Sequence, residues 1–181
     1  MGNLKSYLQK LSTDIFSQLK ADEEVSLFIH SEESQFIRFN GAQVRQNTHV
    51  AQHELSVCYQ KDQRRFKYTL NLTLDADADL KNILSELENS RQQLPLTDVY
   101  PQFVAMANHG TSEQIKKVSR PNDLEMLEIL TNAFKGSDVA GLFCSGPVRQ
   151  VSINSKGQFH FFENDFFFLD YSIYNGPNAA K

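Results

Sequence analysis

Gln35-Phe36-Ile37-Arg38-Phe39-Asn40-Gly41-Ala42-Gln43-Val44-Arg45-Gln46 is the most informative segment of the chain. Asn40-Gly41 supplies the two positive-φ positions of a type I′ turn, the strongest short cue for a β-hairpin. Pairing across that turn sets Phe39 opposite Ala42 and Ile37 opposite Val44 on one face. Arg38 then falls opposite Gln43, and Phe36 opposite Arg45, on the other. The first face suits a core. The second is polar, with an arginine set against an aromatic ring.

On the N-terminal side, Leu4, Tyr7, Leu8, Leu11, Ile15 and Leu19 recur at helical spacing. They form one apolar stripe against Lys5, Lys10, Asp14 and Lys20. Val25 to His30 follows as a strand. Beyond the hairpin, Ala51, Leu55, Val57 and Tyr59 alternate with Gln52, Glu54 and Ser56. After a turn at Lys61-Asp62-Gln63, the run from Phe66 to Leu74 alternates with near-perfect period two, the mark of a half-buried antiparallel strand. A second helix is expected from Ala76 to Gln93, capped by Asp75. Residues 96–120 show no regular pattern. A third helix starts near Asn122 or Asp123, packs Leu124, Leu127, Leu130 and Phe134, and stops at Gly136. A meander closes the chain: Val139–Ser145, a Gly146-Pro147 turn, Val148–Ile153, an Asn154–Gly157 turn, then Phe159–Tyr171.

Strands segregated from helices mean an α+β fold, with helices packed on antiparallel β-meanders. Two helix-plus-sheet subdomains are expected, 1–75 and 76–181. In Phe159–Tyr171, alternation points Phe162, Phe166 and Phe168 away from Phe161, Phe167, Leu169 and Tyr171. A strand with one wet face should not place three Phe on it. These three are therefore candidate interface residues.

Composition narrows the function. The 181 residues can bury roughly 70% of the unfolded surface, and 40% of them are apolar, which excludes a disordered chain. Eighteen basic residues against twenty-two acidic ones, a net charge of −4, disfavour direct nucleic-acid contact. Two cysteines in apolar stretches, Cys58 and Cys144, fit a reduced cytoplasmic protein and are expected to stay unpaired, in different sheets. No apolar run approaches the length of a membrane span.

Catalytic motifs fail on inspection. His49-Val-Ala-Gln-His53 has zinc-like spacing, but on a strand those histidines stand about 13 Å apart, too far for one metal. Asp75-Ala-Asp-Ala-Asp79 imitates a calcium loop, yet Leu80 takes the place of the required Gly, and the acids suit a helix N-terminus. Nothing near Cys58 is placed to activate a thiol. Ser145-Gly146 lacks a nucleophile elbow.

Two blocks taken together resemble the TldD/TldE (PmbA) family. The first is Glu33 to Asn40 with Val44-Arg45-Gln46. The second is Gly141-Leu-Phe-Cys-Ser-Gly146-Pro147, then Asn154-Ser155-Lys-Gly157-Gln158, then Asp170 to Tyr174. The similarity spans about residues 20–175. It implies an N-terminal region of a longer subunit in a cytosolic zinc metallopeptidase complex that processes peptides, with older naming as a modulator of DNA gyrase. It also implies that the zinc ligands lie in a C-terminal half of the catalytic member, so no catalytic or metal residue is carried onto this chain. The family hairpin maps onto Arg38, Asn40, Arg45 and Gln46, candidates for binding a peptide or partner. A homo- or hetero-oligomer with a family subunit is expected, without membrane or direct nucleic-acid contact. The other reading is a free-standing module that captures a peptide by pairing at a sheet edge.

Overall fold

The computed structural model describes residues 4–119 and 121–181, with Asp123 described by its backbone alone. The elements are α1 (Leu4–Phe16), β1 (Glu24–Asn40), β2 (Gln43–Lys61), β3 (Arg64–Asn71), α2 (Ala76–Gln93), a 3₁₀ turn at Leu94–Leu96, β4 (Thr111–Lys116), α3 (Asp123–Ala133), β5 (Asp138–Asn154), β6 (Phe159–Asn175) and β7 (Asn178–Ala180). The strands join in one antiparallel sheet, ordered β3-β2-β1-β5-β6-β4, with β7 on β6. This is an α+β architecture, and no helix among the described residues is long and apolar enough to cross a membrane.

Several strands are longer than their local patterns suggest. The strand at Val25–His30 runs on through Ser31–Ser34 into the hairpin. Gly146-Pro147, expected as a turn, lies inside the continuous strand β5. Gly146 holds φ 151°, and a Cβ there would collide with the Glu33 carbonyl oxygen and the Ser34 Cα of β1. The glycine thus permits close backbone approach within a strand, the alternative use of such a residue. The two expected meanders share one sheet, so Cys58 and Cys144 lie in the same sheet; both are free thiols. The stretch 96–120 contains β4, whose six residues are all exposed and so carry no burial alternation to read.

The chain forms two compact units, each drawn from three segments. The first takes Met1–Ser31, Gln52–Gln114 and Arg149–Phe162; the second takes Glu32–Ala51, Ile115–Val148 and Glu163–Lys181. In the first, Leu8, Leu11 and Ile15 of α1 and Ile83 and Leu87 of α2 bury against Val25, Leu27, Ile29, Leu55, Val57 and Tyr59 of the sheet. Asp75 caps α2 by accepting from the Asp77 and Ala78 amides. Glu23 is buried, and the Arg91 guanidinium donates to both of its oxygens at 3.0 and 2.8 Å. Tyr59 Oη and the Lys20 amide donate to Glu23 as well. Burial alone would raise the Glu23 pKa, but the hydrogen bonds, Arg91's first, bring it down to about 2.

In the second unit, Ile37, Phe39, Val139 and Phe143 of the sheet are buried together with Leu130 of α3. The Phe134 ring lies 4.9 Å from Phe39 and 5.5 Å from Tyr171, centroid to centroid. Asn122 and Glu125 form a reciprocal capping box at the start of α3. Leu124, expected inward, is 65% exposed. It stands about 120° around the helix from Leu130, off the stripe of Met126, Leu127, Leu130 and Phe134.

Candidate functional site

The hairpin turn is Gly41-Ala42, with φ 59° and 52°, and not Asn40-Gly41. Local preference favours Asn over Ala at positive φ. A tertiary bond overrides it: the Ala42 amide donates to the Val139 carbonyl at 3.1 Å. The shift places Asn40 and Gln43 at the strand ends, one residue later than the expected pairing.

Along β1, Ile37 and Phe39 point into the core of the second unit, while Phe36, Arg38 and Asn40 face away from it. That outer face is open. A cleft of about 490 Å³ is lined by Arg38, Phe39 and Asn40 of β1, Ala140, Gly141 and Leu142 of β5, and Asp170, Tyr171 and Ser172 of β6. A second, of about 240 Å³, is lined by Phe36, Arg38, Gln46, Thr48, Val50 and Leu142. Arg38 and Leu142 belong to both. Gly141 lets β6 pass close by, since a Cβ there would meet the Asp170 carbonyl and Tyr171.

Three of the four candidate binding residues, Arg38, Asn40 and Gln46, therefore meet on this open face; Arg45 lines neither cleft. The Arg38 guanidinium has no hydrogen-bond or ion-pair partner among the described residues. Gln46 Nε2 donates to Thr48 Oγ1 at 2.9 Å, and Asp170 pairs with Lys181 Nζ at 2.8 Å. Asp170, Ser172 and Leu142 were not foreseen as lining residues, although they fall in the second block of family-like sequence. Only strand pairing brings that block beside the hairpin.

Of the candidate interface residues, Phe162 is half-buried in the first unit; in the second, Phe166 is half-buried and Phe168 is exposed.

The face offers one guanidinium, one carboxylate, amides and hydroxyls over an apolar floor. Such a set can offer hydrogen bonds and one positive charge to a polar or acidic ligand. Among the described residues no group of three His, Cys, Asp or Glu is placed to hold a metal ion. His53 is a buried strand residue, its Nδ1 2.8 Å from Ser31 Oγ. Burial pushes the Cys58 and Cys144 thiols up, away from reactivity.

No protein-family model matches the chain, and no curated protein matches it. Solved structures do. A proposed modulator of a DNA gyrase from Thermotoga maritima superposes over 98% of this chain and 41% of its own, with a TM-score of 0.66 at 12% identity. TldE from Thermococcus kodakarensis covers 97% of this chain and 41% of its own, with a TM-score of 0.60 at 11% identity. A proposed modulator of DNA gyrase from Bacteroides thetaiotaomicron covers 99% and 43%, with a TM-score of 0.63 at 17% identity. The chain thus spans about two fifths of the length of these proteins. Across nearly its whole length, the chain has the fold of the TldD/TldE family.

Proposed function

We propose that this chain is a non-catalytic binding and scaffold region of a TldD/TldE-like subunit, acting beside a zinc-bearing partner in a cytosolic complex that processes or degrades peptides. The supporting observation is the likeness to TldE over 97% of the chain. The open face with its unpaired Arg38 supplies a surface for peptide or partner, and the hydrolytic metal belongs elsewhere in the assembly. The test mixes the purified chain with a zinc-bearing TldD-like subunit from the same source. Co-elution on size exclusion and altered peptide hydrolysis are expected, with no hydrolysis by this chain alone. Absence of any complex, or zinc-dependent hydrolysis by the chain alone, overturns the reading.

One observation favours the second reading, strand capture at a sheet edge. β4 ends the strand order, and all six of its residues are exposed. Slowed amide exchange confined to β4 on adding an extended peptide would select it.

A further inference from the structure

We infer that the groove joining the two clefts of the second unit binds an extended peptide across the strands, with an acidic side chain of that peptide seated on Arg38. This rests on the binding role proposed above and names the ligand class for the same face.

Geometry supports a crosswise occupant. The two clefts adjoin at Arg38 and Leu142, and together they reach over β2, β1, β5 and β6, which are neighbours in that order. Three interstrand steps of about 4.8 Å give about 14 Å, the span of about four extended residues at roughly 3.4 Å each. The central strands β1 and β5 already have neighbours on both sides. A ligand here cannot add as a strand and must be held by side chains.

Charge fixes the kind of peptide. Arg38 sits mid-groove without a partner among the described residues, between the half-buried Phe36 and Leu142. Arg38 is itself solvent-exposed, and its planar guanidinium fork matches a carboxylate bidentately, which sets the charge and geometry of the group it would take. At the β6 end, Asp170 is ion-paired with Lys181 at 2.8 Å, which leaves Arg38 as the unpaired charge among the described lining residues. Asn40 and Ser172 offer an amide and a hydroxyl to the peptide backbone, and Gln46 and Thr48 do so at the other end. One cation opposite one carboxylate, in a chain of net charge −4, disfavours a polyanion such as nucleic acid.

The probes are two N-acetylated, C-amidated hexapeptides, alike except for a central Glu or Gln, titrated into the full chain by fluorescence anisotropy and amide NMR. The Glu peptide should bind about tenfold more tightly than its Gln twin. Amide shifts should centre on Asn40, Leu142 and Ser172. Arg38→Gln should abolish the preference, Arg38→Lys should keep part of it, and Arg45→Gln should leave it intact. The NMR spectrum also reports whether each variant is folded. Equal affinities, no binding of either peptide at millimolar concentration, a preference insensitive to Arg38→Gln, or shifts confined to other strands would each overturn the inference. Complex formation with the zinc-bearing subunit is read separately. Its persistence without a Glu preference sinks only this inference, and its absence beside a working groove sinks only the assembly.

Discussion

Ala42 is held at φ 52°, a left-handed conformation that costs an alanine about 1 kcal/mol. The turn tolerates that cost because its amide is tied to the Val139 carbonyl. Ala42→Gly should therefore raise unfolding stability by about 1 kcal/mol, read as a higher urea midpoint at an unchanged slope. A lower midpoint would mean that the alanine side chain contributes more than its strain removes. The presence of a turn was legible, because Asn-Gly is a local signal. Its exact residues were not, since Val139 is far along the chain and no local preference reports it. The same holds for the groove: Arg38, Asn40 and Gln46 could be named from the hairpin, whereas Asp170 and Ser172 reach it only through pairing with β5 and β6.

Among the elements, α2 is locked to its unit by a carboxylate and a guanidinium. A free glutamate takes up its proton near 4.5, but Glu23 in the fold resists until about 2. The unfolded chain thus binds the proton first, so this stabilisation is complete above pH 4.5 and drains away as pH falls toward 2. Asp79 adds to the trend. Burial would raise its pKa, but hydrogen bonds from Tyr7, Thr73 and Leu74 hold it below the usual carboxylate value. Arg91→Met should cost about 3–5 kcal/mol at neutral pH, by leaving Glu23 buried without its cation. The same substitution should flatten the acid limb of a denaturation series. A variant as stable as the parent, or one with the same acid limb, would show that the pair is not coupled to folding. The Asp75 cap of α2 could be recognised from sequence because it acts within one turn. Glu23 lies in the loop before β1 and Arg91 in α2, and nothing in either neighbourhood names the other.

For the molecule as a whole, the second half of β6 carries the clearest liability. Phe167 is 57% exposed and Phe168 53%, with Leu169, Ile173 and Tyr174 also exposed. Apolar surface gathered along one strand drives association. Light scattering over a concentration series should show self-association, and Phe168→Ser should suppress it without loss of fold. A monomer at every concentration that also fails to bind a hydrophobic dye would refute this. The apolar character of both faces was plain from the alternation of phenylalanines. The joining of all strands into one sheet was not, because Ser31–Ser34 and Gly146-Pro147 look like breaks when read locally.

The interleaving of the two units bears on how the chain is made. Neither can close when only its earliest segment has left the ribosome: the first waits for Arg149–Phe162 and the second for Glu163–Lys181. During that wait, β1, β2 and β3 are already out, with Leu27, Ile29, Leu55 and Val57 lacking the β5 and β6 residues that later pack with them. Nascent chains with unpaired apolar strands aggregate readily. Holding chaperones should therefore engage this chain once β3 has emerged, and release it once β6 follows.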